Sequence, residues 1–268
     1  LKPTLSVVII TKNEEANIDR CVRSVMSRRL TSLQLLETLV VDSQSTDRTV
    51  ALAKRAGAKV AVRPWPGFSA QKNWALGRVK GDWVLSLDAD EALTPALWDE
   101  IERTVPQAPP DLDGFYLKRR AFFLGKWIRH CGWWPDSQLR LIRRGRGRFN
   151  SNPVHEGLEV AGKTRTLGEP MDHHTYVSIS QYLRKMDQYS ALAVQSAPEK
   201  KKRHWRYYLV VDPFVTFFRM YVSRRGFLDG WHGLVVSGLS AFHTFAKYAK
   251  LWEKEVVQSD RNGSRRGR

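Results

Sequence analysis

Three polar clusters carry residue types suited to phosphate and proton chemistry. Asp88-Ala89-Asp90 sets two carboxylates one residue apart, directly behind the apolar run at 84–87. Such a pair can face one divalent cation, one carboxylate directly and the other through water or a ribose hydroxyl. Hard oxygen ligands of this kind suit Mg2+ or Mn2+ bridging a diphosphate. Asp42 ends a second apolar run and is followed by Ser43, Ser45, Thr46 and Asp47. A carboxylate there can accept from a ribose hydroxyl or a base imide, and the backbone donors of the helix behind it favour anions. Thr46 or Asp47 could equally serve as a simple N-cap. Lys72, in Ser69-Ala70-Gln71-Lys72-Asn73, is either a cation for the phosphates or a solvated helix lysine. The chain contains no G-x-G-x-x-G, which weighs against a dinucleotide oxidoreductase. A phosphate site here needs another electrophile, and a metal held by Asp88 and Asp90 supplies one.

These clusters need elements to bring them together. Near-continuous apolar runs at 5–10, 35–41, 58–62 and 83–87 read as buried strands, and segments such as 48–56, or the one bearing Ile18, Cys21, Val22 and Val25, read as helices. Buried strands separated by helices predict a mainly parallel, doubly wound α/β sheet. In such sheets ligands bind outside the carboxyl ends of the strands, where 11–14, 42–47 and 88–91 would converge. After a Pro-rich stretch at 106–113 the pattern changes to longer strand-like runs at 114–124 and 138–142, then a helix at 178–196.

Charge divides the chain in the same place. Up to Asp113 there are 15 Lys/Arg and 15 Asp/Glu, which leaves 29 against 12 beyond it and places the whole formal net charge of +17 there. A neutral first part suits a small-molecule site, and the basic part suits a polyanion or anionic surface. Hydrophobic residues at 42% and charged residues at 26% exclude wholesale disorder. The two cysteines, Cys21 and Cys131, are too few for a disulfide framework or a thiolate zinc site and fit a reducing compartment. No secretory leader is expected from the first ten residues, and the uncharged stretch at 230–246, which holds Gly, Ser, Thr and His, does not read as a membrane span. Beyond Pro198, two aromatic, basic, amphipathic segments at 205–223 and 227–252 suit a membrane surface better than nucleic acid, since no RNP1 or zinc-finger pattern accompanies them.

The succession Val7-Val8-Ile9-Ile10-Thr11-Lys12-Asn13-Glu14, Val40-Val41-Asp42-Ser43-x-Ser45-Thr46-Asp47, Gln71-Lys72-Asn73-x-Ala75-Leu76 and Leu85-Ser86-Leu87-Asp88-Ala89-Asp90-Glu91 resembles the family 2 glycosyltransferases of the GT-A fold. Gly132-Trp133-Trp134-Pro135-Asp136-Ser137-Gln138-Leu139-Arg140-Leu141, with Val154-His155-Glu156, looks like the branch that contains lipopolysaccharide-core β-1,4-glucosyltransferases. The resemblance implies transfer of a sugar, in that branch glucose, from a UDP-sugar to a lipid-linked glycan such as the lipopolysaccharide inner core, with inversion at the anomeric carbon. It implies a donor site of Thr11, Asn13, Glu14, Asp42, Lys72, Asn73, Asp88 and Ala89. It also implies Mg2+ or Mn2+ on Asp88 and Asp90; from the residues themselves, one of the adjacent pair His173 and His174, which should point apart, could supply a third ligand, with His173 the candidate, or the two form only a polar loop pair. An inverting displacement needs one base for the acceptor hydroxyl; Glu156 is nominated, with Asp136 its rival. Trp133, Trp134, Asp136 and His155 are the acceptor-side candidates.

The expected organisation is a nucleotide-sugar half at 1–113, an acceptor half at 114–197, a helical membrane-associating region at 198–258 and a disordered tail at 259–268. The expected setting is peripheral, at the cytoplasmic face of a bacterial inner membrane. Other readings of the same residues are a polyprenyl-phosphate or other cell-envelope sugar transferase, a sugar-phosphate nucleotidyltransferase, and a non-catalytic membrane or nucleic-acid binding protein.

Overall fold

A computed structural model of the chain describes residues 2–150, 157–195 and 204–266, with backbone alone at 195 and 258–266. The residues form two compact units, 1–122 with 135–175 and 123–134 with 176–268, so the divisions expected near 114 and 198 do not coincide with the packing. The composition break marks a change of charge, whereas the strands on either side of it share one sheet.

The first unit opens with β1 (Thr4–Thr11), α1 (Ile18–Met26), β2 (Gln34–Asp42), α2 (Thr49–Arg55), β3 (Lys59–Val62), α3 (Phe68–Leu76) and β4 (Trp83–Asp88). Then come β5 (Glu91–Ala92), α4 (Pro95–Thr104) and β6 (Leu112–Phe123). After β7 (Lys126–Trp127), which belongs to the second unit, the chain continues with β8 (Asp136–Arg143), β9 (Gly147–Phe149), β10 (Leu158–Val160) and β11 (Lys163–Tyr176). The main sheet runs β3-β2-β1-β4-β8-β6-β11-β5, with β9 and β10 as a separate antiparallel pair. The β3, β2, β1 and β4 strands are parallel, and β8 turns the sheet antiparallel on both its sides.

Strand alternation explains why β1 is apolar on both its faces. Leu5, Val7 and Ile9 of β1 enter a core with Val22 and Val25 of α1 and Leu97 and Trp98 of α4. Val8 and Ile10 enter the opposite core with Ala75 of α3, Val84 and Phe149. Successive side chains point to opposite faces and both faces are covered, so neither parity is polar. Helix α4 starts cleanly because Thr94 Oγ1 accepts from the Leu97 amide at 3.1 Å and Pro95 occupies the first turn, where no donor is needed.

The second unit holds α5 (Ile179–Gln195), α6 (Trp205–Phe218) and α7 (Trp231–Arg266). A π turn (Arg219–Ser223) and a 3-10 turn (Gly226–Asp229) join α6 to α7. Tyr208 stacks on Tyr248 at 5.5 Å, and the Tyr248 hydroxyl donates to Asp212 at 3.0 Å, pinning α6 along α7. The α7 helix continues to Arg266, into the stretch expected as a disordered tail at 259–268; adding a residue to an established helix avoids the nucleation cost. No helix among the described residues is long and apolar enough to cross a membrane.

Candidate active site

The carboxyl ends of β1, β2 and β4 carry the polar clusters, and the first two are tied together by their loops. Asn13 takes a left-handed backbone at φ 53°. Its amide donates to Ser45 Oγ at 2.8 Å, and its side-chain carbonyl accepts from the Thr46 amide at 2.9 Å. Asp42, buried at the end of β2, accepts from the Ser45 amide at 2.9 Å and the Ser45 hydroxyl at 2.5 Å. These bonds tie the two loops into a fixed polar floor. Two buried polar atoms beside that floor, Thr11 Oγ1 and Gln71 Oε1, have no protein partner among the described residues. A ligand that hydrogen-bonds there satisfies groups that are otherwise costly to bury. Glu14 is committed locally: its amide donates to Thr49 Oγ1 at 2.8 Å and its carboxylate accepts from Asn17 at 2.8 Å, at the entry to α1.

Asp88 and Asp90 part company. Asp88 receives Lys72 Nζ at 3.0 Å on one oxygen and Arg140 Nη2 at 2.5 Å on the other. Arg140 also reaches Glu91 Oε1 at 2.6 Å, Glu91 accepts from Arg119 at 3.2 Å, and Arg119 grips Asp136 at 2.5 Å. The result is an ion chain of alternating sign, Lys72, Asp88, Arg140, Glu91, Arg119, Asp136, drawn from α3, β4, β5, β6 and β8. Its middle is dry, with Glu91 at 0% and Arg140 at 5% exposure. Burial opposes the charge on Asp88, yet Arg140 and then Lys72 hold its carboxyl well below the usual carboxylate range. Burial likewise opposes the charge on Arg140, and Asp88 and Glu91 overcome it, raising the guanidinium further above its ordinary value.

Asp90 turns instead toward β11. Strand β11 pairs with β5 so that His173 lies opposite Glu91, which brings His173 Nε2 to 3.5 Å from Asp90 Oδ1. His173 Nδ1 sits 3.3 Å from the Thr175 hydroxyl, which orients the ring with Nε2 toward the carboxylate. His174 points the other way, as strand alternation requires. It stacks on Phe122 at 5.0 Å, where burial, with Arg20 near, pushes its imidazole down. An oxygen and an imidazole at this spacing are donors that Mn2+ takes, and Mg2+ less readily. No group of three or more His, Cys, Asp or Glu able to hold a metal occurs among the described residues, so Asp88 does not join Asp90 and His173.

Other predicted residues have structural work. Asn73 exchanges two hydrogen bonds with the Phe149 backbone, at 2.9 and 2.8 Å, joining α3 to β9. Ala89 is buried between the two aspartates. Asp136 is held by Arg119 and accepts from Gln138 at 2.8 Å. Trp133 and Trp134 belong to the second unit, where Trp133 lies 6.2 Å from Phe123 and Trp134 lies 5.4 Å from Trp127, each edge to face. His155 and Glu156 lie outside the described residues. Sequence reasoning passed over Glu91, Arg119 and Arg140. The available signal was Arg140, a lone charge inside the apolar run Leu139 to Ile142.

The model of the family described as glycosyl transferase family 2 matches residues 6–161, more than half of the chain. The chain belongs to this family. The family 2 match spans β1 through β10 and so includes every described residue of the site except His173. The lipopolysaccharide core biosynthesis glycosyltransferase LpsC of Rhizobium meliloti is 30% identical, over 97% of this chain and 96% of that protein. An uncharacterized glycosyltransferase of Rickettsia bellii is 33% identical, over 94% and 87% of the two chains. Among solved structures, the mannosyltransferase PcManGT of Pyrobaculum calidifontis, in complex with GDP-Man and Mn2+, superposes with a TM-score of 0.51 at 17% identity, covering 94% of this chain and 86% of that one. The fold of the family 2 chain is therefore GT-A, with a helical C-terminal region.

Proposed function

We propose that this glycosyltransferase moves a hexose, glucose in the first instance, from a UDP-sugar to a lipid-linked glycan such as the lipopolysaccharide inner core, with inversion and with Mn2+ or Mg2+ assistance. The observation that carries the reading is the convergence at the parallel strand ends of the Asn13/Asp42 floor, the Lys72 and Arg140 cations, and the Asp90 and His173 donor pair. The kinship with LpsC along nearly the whole chain supports the acceptor class. We place the enzyme peripherally at the cytoplasmic face of a bacterial inner membrane, where such an acceptor and a nucleotide sugar meet.

In this mechanism the nucleoside rests on the Asn13/Asp42 floor and meets Thr11 Oγ1 and Gln71 Oε1. Asp90 and His173 would hold the divalent ion, which would supply positive charge to the leaving diphosphate. Lys72 and Arg140 fix Asp88 in its ionised state and add a positive field that costs no reorganisation when the bond breaks. Glu156 is the proposed base for the acceptor hydroxyl. Asp136 is the weaker candidate, since both its oxygens already accept from Arg119 and Gln138.

Thermal unfolding with UDP, GDP, CDP and dTDP, each with Mn2+, Mg2+ or EDTA, tests the donor site. A ligand at one hundred times its Kd adds about 2.7 kcal/mol, so a metal-dependent rise confined to UDP is expected. A rise with GDP alone overturns the choice of donor. Glu156→Gln is expected to keep that rise and lose transfer to a lipopolysaccharide acceptor; near wild-type transfer removes Glu156 as the base.

A further inference from the structure

The turn between α6 and α7 has a pattern that donor chemistry does not use. From Phe218 to Trp231 the buried residues are Met220, Gly226 and Asp229, while Phe218, Val222, Phe227, Leu228 and Trp231 are exposed, Trp231 to 80%. The turn is nevertheless firmly built. A Cβ on Gly226 would meet Cys131 Sγ at 2.7 Å and the Met220 carbonyl oxygen at 2.8 Å, and one on Gly233 would overlap the Gly226 carbonyl. The Asp229 carboxylate accepts from the His130 amide at 2.8 Å, and its carbonyl from Lys126 Nζ at 2.9 Å. A rigid turn that holds five large apolar side chains in water pays for exposure that a folded monomer has no reason to keep.

Charge identifies the occupant. Arg219, Arg224 and Arg225 are exposed among these side chains. Between residues 204 and 252 the only acids before Glu253 are Asp212 and Asp229, and each is tied inward, to Tyr248 and to His130. The turn therefore shows solvent apolar rings and guanidinium groups with no exposed carboxylate among them. Apolar side chains at acyl depth with arginines at headgroup level match an anionic bilayer surface.

We propose that the α6 to α7 turn is a membrane wedge, in which Phe227, Leu228 and Trp231 enter the interface of an anionic leaflet and Arg219, Arg224 and Arg225 engage its phosphates. It rests on the proposed membrane setting of the acceptor for its purpose, but its binding is read without donor or acceptor. The turn lies at neither end of the described chain, so insertion here holds α6 and α7 by their joined ends.

The test is flotation of the full chain with phosphatidylcholine vesicles, with and without phosphatidylglycerol. Flotation with the anionic vesicles is expected. Replacing Phe227, Leu228 and Trp231 together with Ser should cut partition at least about tenfold, and each Arg→Gln change about fivefold. Since these side chains are exposed, an unchanged melting temperature checks the fold. Leu228→Cys gives an independent readout, because both native cysteines are buried and only the new thiol takes an environment-sensitive dye. A blue shift on anionic vesicles is expected. Unaltered flotation of the triple variant, or no dye shift, overturns the wedge. So does a dimer in light scattering that the triple variant dissolves while neither protein floats, which would assign the turn to a second copy. A nucleotide melting shift that persists through those failures leaves the transferase reading standing.

Discussion

Asp88 and Asp90 are one residue apart and serve different partners, the first two cations and the second an imidazole. Asp90→Asn is accordingly expected to abolish the Mn2+-dependent part of the nucleoside diphosphate melting shift while leaving the unliganded melting temperature close to wild type. His173→Ala should weaken the same shift without abolishing it. Arg140→Met should act on the apo protein. It leaves the buried Glu91 and the half-buried Asp88 without their shared cation, for which a loss of about 3 kcal/mol is expected in urea unfolding, and replacing Glu91 with Leu in the same chain should recover part of that loss. The aspartates were legible in the sequence because each follows an apolar run that can be only a strand. Arg140, Glu91 and Arg119 were not, since Arg140 stands 49 residues from Glu91 and 52 from Asp88. Which cation meets which carboxylate is decided by the order of β4, β8 and β6 in the sheet. The bonds of Asn73 were hidden for the same reason: only the fold brings the Phe149 backbone to it.

At the level of elements, the parallel strands and the helices covering them were readable because burial on both faces leaves a continuous apolar trace. Strand β11 left none. Glu169, Pro170, Asp172, His173 and His174 in it are half-buried or exposed and follow no simple alternation, so His173 and His174 read as a loop pair when they are a strand segment beside β5. The clasp between the starts of β1 and β4 gives a test at this scale. Thr4 donates to Asp82 through its amide at 2.9 Å and its hydroxyl at 2.6 Å, and these bonds lower the Asp82 pKa. A carboxylate whose folded pKa is depressed contributes stability that is present above its unfolded value, about 3.9, and is lost as pH falls through the folded value. Asp82→Asn should therefore lower the urea midpoint at pH 6 and flatten its decline below about pH 4, leaving the two proteins closer in acid.

For the whole molecule, the formal charge is neutral through Asp113 and +17 beyond it. This asymmetry predicts that the two binding events respond differently to salt. Raising NaCl from 0.1 M to 1 M shortens the Debye length from about 10 Å to about 3 Å, so flotation with anionic vesicles should fall steeply. The nucleotide melting shift, read in a site whose ion pairs are largely buried, should change far less. The charge division was plain in the sequence, but it did not mark the packing boundary, because β6 and β8, beyond Asp113, complete the sheet begun before it.

The ion chain from Lys72 to Asp136 also constrains how this protein can diverge. Each inner member answers to two neighbours of opposite sign, so a single replacement takes one of two partners from a charge in or beside the dry Glu91 and Arg140 middle. Tolerated changes at these six positions should arrive as compensated pairs, an acid exchanged together with the base beside it. In a deep collection of relatives, Arg140 and Glu91 should vary in concert or not at all, while Asp136, at the open end of the row, should drift first.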